Sequence, residues 1–233
     1  MSVIFGICAP RAAIVDEQQL RRCGEATARY GMDGTSMHVH GQIGMGFQAF
    51  HTNDRSKLER RLAVDAVGNI LAMDGRLDNH RGLREILDDN DPAVPDSALA
   101  LKAFERWGEN CFSCLVGDWA IALWSARDGI LYLARDHAGS RPLYYRVQDC
   151  KTMWSSYLEG FFVERSSIAI EIRAVASHVR DSAAGFRATQ NVSLGQMLVL
   201  DRDTRLAVDA AILQSFQYLP RNSQTIPREP RGF

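Results

Sequence analysis

Apolar residues occur along the chain in two kinds of short block, and each kind predicts a different element. Continuous apolar or alternating blocks of four to nine residues predict strands. Blocks with apolar residues three or four positions apart predict amphipathic helices. The strands expected on this basis are Val3–Ile7, Ser36–His40, Ile43–Phe50, Asn69–Leu77, Asp118–Ser125, Ile130–Ala134, Leu143–Val147, Lys151–Ser155, Met197–Leu200 and Arg205–Val208.

Three stretches have helical spacing, and each begins at a residue that is able to cap a helix. They are Asp16–Tyr30, Asn79–Leu87 and Asp96–Trp107. Their first residues can accept a hydrogen bond from an unpaired backbone N–H of the first turn. Gly108 is expected to stop the third helix. The polar stretch Asn53–Arg60 and the proline-containing stretch Asp88–Pro95 predict loops.

The order of these elements is strands, then helices, then strands, with hairpins instead of β-α-β alternation. Arg127-Asp128-Gly129 is a strong hairpin signal between two of the strands. This order favours an α+β fold of stacked antiparallel sheets covered by helices over a doubly wound parallel sheet. Gln214–Phe233 lacks periodicity and predicts a tail or a truncated linker.

Composition narrows the class of protein further. The chain has 233 residues, 46% hydrophobic content and a formal net charge of -1. The balanced charge argues against a nucleic-acid-binding face. No apolar stretch approaches the ~20 residues that span a bilayer, and no secretory signal is evident, so we expect a cytoplasmic location. The five cysteines predict free thiols, and Cys111-Phe112-Ser113-Cys114 lacks the second ligand pair of a metal site.

Four collinear segments resemble the class II glutamine amidotransferase domain of asparagine synthetase-like proteins. The opening Met1–Ile7 is similar to M-C-G-I-F-G-I, and Tyr30–Gly34 to R-G-P-D-G. Asp74–His80 is similar to N-G-E-I-Y-N-H, and Arg135–Tyr145 to R-D-x-x-G-x-R-P-L-Y-Y. The resemblance covers roughly residues 1–160 and weakens towards residue 210. It implies the four-layer αββα sandwich of two antiparallel sheets found in N-terminal nucleophile (Ntn) hydrolases.

In that family, the initiator Met is removed and the exposed Cys attacks the side-chain amide of glutamine, with its own α-amine as base. The resemblance places Ser2 at this nucleophile position. It places Asp74 and Gly75 at the Asn-Gly pair that binds the developing oxyanion, and Asp96 at the acidic position that holds the substrate ammonium. These four residues are the candidate catalytic and substrate-binding set.

Several of these positions depart from the family pattern. Ser2 replaces the Cys, and a hydroxyl is far less acidic than a thiol. Asp74 replaces the oxyanion-binding Asn, and an ionised carboxylate repels an oxyanion that an amide would stabilise. Asp74 and Arg76 fall on the same strand face and are expected to be able to pair. Asp96 has a structural alternative as an N-cap.

The Arg that holds the glutamine carboxylate in the family is missing near residues 49–51. Arg55 could replace it only in a rebuilt loop. In the loop Arg135–Pro142, Arg135-Asp136 and Gly139 are expected to fix the turn, and His137 is expected to be structural or exposed.

The chain lacks the S-G-G-x-D-S pyrophosphate loop of asparagine synthetases, β-lactam synthetases and lasso-peptide cyclases. We expect residues 1–210 to form the amidotransferase-like domain and 211–233 a tail or linker to a missing synthetase domain. ATP and Mg²⁺ are expected only in that domain, in cis or in trans. The pattern is nearest to the β-lactam synthetase and lasso-peptide cyclase N-terminal domains, whose glutaminase activity is lost.

Three hypotheses follow from the sequence. The leading one is a catalytically degenerate domain that supports an ATP-dependent amide-forming partner. The second is an active Ser-nucleophile amidohydrolase or glutaminase that supplies ammonia. The third is a binding module whose pocket, flanked by Asp74, Arg76 and Asp96, holds a different small ligand or a peptide end. Glutamine is a candidate partner of the domain. No metal, nucleic acid or membrane partner is expected.

Overall fold

A computed structural model describes residues 1–148, 150–161, 189–191, 196–200 and 206–211. Three α-helices lie in these ranges: α1 (Glu17–Thr27), α2 (His80–Ile86) and α3 (Asp96–Trp107). Short 3₁₀ segments cover Ser56–Leu58, Gly108–Cys114 and Leu158–Phe161. The strands are β1 (Val3–Cys8), β2 (Thr35–His40), β3 (Ile43–Gln48), β4 (Ala63–Val64), β5 (Ile70–Leu77), β6 (Gly117–Ser125), β7 (Ile130–Arg135), β8 (Tyr144–Gln148), β9 (Lys151–Ser155), β10 (Thr189–Asn191), β11 (Gln196–Leu200) and β12 (Leu206–Ala211).

The described strands form two six-stranded sheets, in which neighbouring strands pair antiparallel. Sheet A has the order β10-β8-β9-β1-β3-β2, and sheet B has the order β12-β11-β7-β6-β5-β4. The N-terminal strand β1 lies inside sheet A, between β9 and β3. Ser2, which directly precedes β1, is therefore carried by a fixed strand and not by a loose terminus.

Three apolar clusters show how the two sheets are covered. One cluster packs α2 and α3 on the outer face of sheet B, with Leu83, Phe104 and Trp119 among its members. A second fills the space between the sheets and includes Ile4 and Ala122. The third lies between sheet A and α1. The layers are thus helix, sheet, sheet and helix, which confirms the αββα sandwich expected from the sequence.

Most elements lie within two residues of their predicted bounds, and α3 matches its prediction exactly. Helix α1 ends three residues earlier than expected, because the Thr27 hydroxyl donates back to the Cys23 and Gly24 carbonyls and contacts Gln48 at the last turn. The hairpin expected near residues 197–208 is confirmed as the β11–β12 pair. The predicted tail from residue 214 lies outside the described residues.

Two predicted helix caps are wrong. The Asn79 side chain makes no capping hydrogen bond and instead joins two loop groups, donating to the Cys114 carbonyl and accepting from the Val116 N–H. The Asp96 carboxylate accepts from the Leu77 N–H at the end of β5, and Pro95 occupies the N-cap position. Both side chains make tertiary contacts that local sequence does not encode.

None of the helices in the described ranges is long and apolar enough to cross a membrane.

Candidate functional site

A small cavity lies where the N-terminus meets the end of β5. Its volume is about 70 Å³, and the side chains that line it include Ser2, Arg55, Glu59, Asp74, Asp96 and Arg141. Met1 also lines this cavity. Pockets that bind small molecules usually enclose ~300–1,000 Å³.

Ser2 is half-buried at the cavity, and its hydroxyl is held in place. The hydroxyl oxygen accepts a hydrogen bond from the Phe50 N–H at 3.1 Å. Met1 precedes Ser2 in the structure, so the Ser2 nitrogen is an amide here, and its N–H contacts the Asp74 carboxylate. The structure therefore brings the nucleophile position and the oxyanion position together.

Asp74 is a buried carboxylate with too few partners. It lies on β5 opposite Ala120, and only 2% of its surface is exposed. Its Oδ1 is 3.9 Å from the Arg141 guanidinium, and its Oδ2 has no hydrogen-bond partner. Burial raises the pKa of Asp74 to about 6, although Arg141, the terminal amine and the Ser2 N–H each lower it in part.

Arg76 does not pair with Asp74, so that expectation is wrong. Its guanidinium lies 2.9 Å from Asp78 and 2.8 Å from Asp118. Asp118 is opposite Arg76 on the neighbouring strand β6, so Arg76 forms a cross-strand pair with Asp118 as well as its pair with Asp78 two positions along the chain. Arg141 is the cation that faces Asp74.

Asp96 lies at the opposite end of the cavity, as the first residue of α3. Its Oδ2 accepts from the Leu77 N–H at 2.9 Å and lies 3.4 Å from the Arg55 guanidinium. Its Oδ1 has no hydrogen-bond partner, and His80 Nε2 lies 3.7 Å away. Burial raises the pKa of Asp96, and the Leu77 N–H and Arg55 oppose that shift.

Arg55 reaches the cavity because the loop predicted at residues 53–60 contains a 3₁₀ turn. The Ser56 hydroxyl accepts from the Thr52 and Asn53 N–H groups, and the Asn53 side chain accepts from the Ser56 N–H. This turn places the Arg55 guanidinium beside Asp96. The loop is therefore built in the way that a role for Arg55 would require.

Glu59 is a cavity residue that the sequence analysis missed. Its carboxylate accepts from the Ser97 N–H at 2.8 Å and from the Ser97 hydroxyl at 2.6 Å. It thereby satisfies one of the free N–H groups at the start of α3. Burial raises the pKa of Glu59 to about 6, and Ser97 opposes the shift. No local signal marks Glu59, because its partner lies 38 positions away.

The loop after β7 carries Arg141 to the cavity. The buried Arg135 donates to the Arg141 carbonyl at 2.6 Å and to the Gly139 carbonyl. Asp136 accepts from the Ala138 and Gly139 N–H groups, and Gly139 has a φ of 60°. The predicted turn-fixing role of Arg135, Asp136 and Gly139 is confirmed. His137 is exposed and does not line the cavity.

Among the described residues, no three His, Cys, Asp or Glu side chains are grouped so that they could hold a metal ion. Within the described part of the chain, the five cysteines form no disulfide, and burial raises the pKa of the Cys111 thiol well above its usual range. The candidate chemistry is therefore that of Ser2, the buried carboxylates and the arginines around the cavity.

Comparison with known proteins extends these observations beyond the single chain. Residues 1–210 match the model of the glutamine amidotransferase domain family. The glutamine-hydrolyzing asparagine synthetase 1 of Bacillus subtilis is 24% identical over 174 residues, which cover 73% of this chain and 28% of that enzyme. Asparagine synthetase 2 of the same organism is 20% identical over 214 residues, covering 86% of this chain and 28% of that enzyme. The chain thus matches less than a third of the length of either relative.

The fold also matches a solved structure. Glutamine phosphoribosylpyrophosphate amidotransferase from Bacillus subtilis superimposes with a TM-score of 0.62 at 16% identity. The match covers 91% of this chain and 50% of that one. At this identity, the likeness concerns the fold alone.

Proposed function

The chain belongs to the glutamine amidotransferase domain family, as a class II domain of the asparagine synthetase-like kind, and we propose that its glutaminase pocket is catalytically degenerate. Its role is then to support an ATP-dependent amide-forming partner domain, in cis or in trans. The observation that carries this proposal is the buried Asp74 carboxylate beside Ser2.

Glutamine hydrolysis at this site needs two groups to be neutral at once. The α-amine of a processed Ser2 must be neutral to act as base, and its reference pKa is about 7.7–8.0. Asp74 must be protonated so that it does not repel the oxyanion, and its pKa is about 6. At pH 7, roughly 14% of the amine and roughly 9% of the carboxyl would be neutral, so about 1% of molecules meet both conditions.

The pairing between these two groups reduces that fraction further. A carboxylate next to an ammonium stabilises the charged form of both. The form in which the Ser2 amine and the Asp74 carboxyl are both neutral is therefore less populated than their ion pair. In the ion pair, the amine cannot act as base and the carboxylate repels the oxyanion. Even in the reactive form, an acid in place of the amide donor alters an oxyanion contact that is typically worth a factor of ~10²–10³ in rate.

The cavity itself supports the same proposal. Its volume of about 70 Å³, with Met1 in place, is well below the ~300–1,000 Å³ of pockets that bind small molecules. Met1 fills part of the site, and its removal would enlarge the cavity. Residues 49–51 supply no Arg for the substrate carboxylate.

The partner domain is proposed from the relatives. Both asparagine synthetases are named as glutamine-hydrolyzing enzymes, and this chain matches only 28% of each. ATP and Mg²⁺ are assigned to that partner, since residues 1–233 contain no S-G-G-x-D-S pyrophosphate loop and the Ser2 cavity is lined by buried carboxylates. The supporting role consists of packing against the partner, for which the Ser2 chemistry is not needed.

A glutaminase assay tests the proposed degeneracy. Glutamate release from glutamine by the wild-type chain should equal that of Ser2→Ala within error at every pH from 6 to 9, since only about 1% of molecules have Asp74 and the amine neutral at once and the oxyanion contact is also altered. An electrophilic glutamine analogue should leave no adduct on Ser2 by intact-mass spectrometry, which also reports whether Met1 has been removed. Turnover that disappears in Ser2→Ala would contradict the proposal.

The supporting role has its own test. If a synthetase domain co-purifies with the chain, amide formation from free ammonia should proceed equally with the wild-type chain and with Ser2→Ala. Omitting the chain should lower the yield of folded partner or its rate. A partner that works equally well alone would exclude the supporting role, and the glutaminase result would stand independently.

One observation favours the second candidate function, a Ser-nucleophile amidohydrolase. The Ser2 hydroxyl is anchored by the Phe50 N–H at the cavity and not turned into solvent. The glutaminase assay and the adduct measurement distinguish this candidate from the degenerate domain, because only an active nucleophile gives Ser2-dependent turnover.

A further inference from the structure

The carboxylate at one end of the cavity is only partly satisfied. Asp96 is 4% exposed, and its Oδ1 has no hydrogen-bond partner although it lies in a cavity-lining residue. His80 lies beyond hydrogen-bond distance of Oδ1, and its Nε2 contacts the Val94 carbonyl at 3.1 Å. A buried carboxylate of this kind favours a cationic donor as its neighbour.

The chain supplies a cation beside the other oxygen of this carboxylate. The Arg55 guanidinium lies 3.4 Å from Asp96 Oδ2 and donates to the Leu77 carbonyl at 2.8 Å. Leu77 also donates its own N–H to Asp96 Oδ2 at 2.9 Å. One residue at the end of β5 therefore fixes both the carboxylate and the guanidinium.

The backbone that carries Arg55 is held as firmly as the side chain. The 3₁₀ turn after Arg55 is closed by the Leu58 N–H, which donates to the Arg55 carbonyl at 3.0 Å. Asn53 and Ser56 exchange hydrogen bonds across the same turn. The position of Arg55 thus depends on several bonds of the fold and not on a single exposed ion pair.

We propose that Arg55 is a built-in occupant of the cation subsite at Asp96, which closes the pocket to free amino acids. This inference rests on the proposed degenerate function, since a pocket that must admit glutamine could not keep this occupant. The subsite has the chemistry to hold a small planar amidinium or guanidinium cation, because such a group reproduces both contacts of Arg55, to Asp96 and to the Leu77 carbonyl.

A second role for Arg55 gives the opposite prediction. If Arg55 were a relocated anchor for an amino-acid carboxylate, its removal would abolish amino-acid binding. If Arg55 occupies the subsite, its removal leaves amino-acid binding no weaker than before and creates a place for a small cation. The sign of the change therefore separates the two roles.

Chemical rescue tests the proposal. Methylguanidinium should raise the melting temperature of Arg55→Ala in a saturable way, because it binds the folded state at the vacated subsite. Its affinity for Arg55→Ala should be at least about tenfold higher than for the wild type, in which Arg55 occupies the site in more than about 90% of molecules. Tetramethylammonium at the same ionic strength, which has no N–H donor, should have no such effect.

Matched variants keep this experiment decisive. Arg29→Ala removes a guanidinium that pairs with Glu159 at the surface, and it should show no rescue. Adding Asp96→Asn to Arg55→Ala should remove the rescue. If Arg55→Ala does not fold, Arg55→Met keeps most of the aliphatic stem and takes its place in the same titration.

The outcomes for the two proposals can be told apart. No saturable methylguanidinium effect on either Arg55 variant would overturn the built-in occupant. Glutamine that stabilises the wild type but not Arg55→Ala would also overturn it, in favour of the anchor role. Glutamate release is measured separately, and Ser2-dependent turnover would instead overturn the degenerate function.

Discussion

Asp74→Asn should stabilise the folded chain by about 3 kcal/mol at pH 8, and this difference should disappear as the pH falls to about 3. The pKa of Asp74 rises from 3.8 to about 6 on folding, a difference of 6 − 3.8, or about 2 units. Each unit corresponds to ~1.4 kcal/mol. The measurement is the free energy of unfolding by urea for the wild type and the variant between pH 3 and pH 8.

The direction of this stability difference between the wild type and Asp74→Asn follows from proton linkage. Between pH 3.8 and 6, the native state binds more protons than the unfolded chain, so the wild type loses stability as the pH rises through this window. The penalty is complete above pH 6 and absent below pH 3.8. Asparagine carries no charge, so the Asp74→Asn variant does not lose stability as the pH rises. The cavity has room for a water that can hydrogen-bond to the new amide.

A surface carboxylate provides the control for this measurement. Asp54→Asn changes an exposed residue that pairs with Lys57, and it should leave the free energy of unfolding almost unchanged at every pH. If Asp74→Asn instead destabilised the fold at pH 8, Asp74 would be a favourable counter-ion for Arg141 and the terminal amine. The charged Asp74 carboxylate would then stabilise the folded chain instead of destabilising it.

The fold was largely predictable because its strongest signals are local. Helix α3 is bounded by Pro95 and Gly108, so both ends were found exactly. The turn before Ile130 has Gly129 at a φ of 67°, which explains why its hairpin was visible in the sequence. The antiparallel architecture then followed from the order of the elements.

The candidate site was predictable only in part, because its contacts join distant segments. The positions of Ser2, Asp74, Gly75 and Asp96 came from the family resemblance, and the structure places all four at one cavity. The partners of these residues did not follow from the sequence. Arg141 is 67 positions from Asp74, and no helical or strand period relates the two residues.

The wrong helix caps have the same physical origin. Asn79 and Asp96 each have the right chemistry for an N-cap, but their side chains bind groups that come from other parts of the fold. Glu59, in contrast, lies in a polar loop and satisfies the start of α3 from outside that helix. Local propensity assigns such residues to the nearest helix, whereas tertiary contacts decide where they act.

Gly75→Ala should destabilise the fold by about 4 kcal/mol. Gly75 has a φ of 143°, and a Cβ there would lie 2.1 Å from the Asp118 carbonyl oxygen and 2.6 Å from Trp119 Cα. Backbone strain in this region costs of order 1–3 kcal/mol, and overpacking typically adds ~1–3 kcal/mol. The measurement is again urea unfolding, with the yield of folded protein as a second readout.

Gly82→Ala is the matched control for this variant. Gly82 lies inside α2, and a Cβ there would meet no atom within 4 Å, so alanine should stabilise the chain by up to about 1 kcal/mol. A small effect of Gly75→Ala would show that β5 and β6 can move apart at this point. The presence of glycine at position 75 would then need an explanation other than close packing of β5 against β6.

The two changes at Asp74 and Gly75 together decide how the Asp-Gly pair should be interpreted. Gly75 matches the oxyanion-binding Gly of active relatives, which by itself would favour a working site. The close approach of β6 requires glycine at this position whether or not an oxyanion ever forms. Retention of Gly75 is therefore no evidence for activity, whereas the carboxylate at the adjacent Asp74 acts directly on the chemistry. A strongly destabilised Gly75→Ala and a stabilised Asp74→Asn would be the combination expected of a fold that keeps its strand packing and has lost the need to bind an oxyanion.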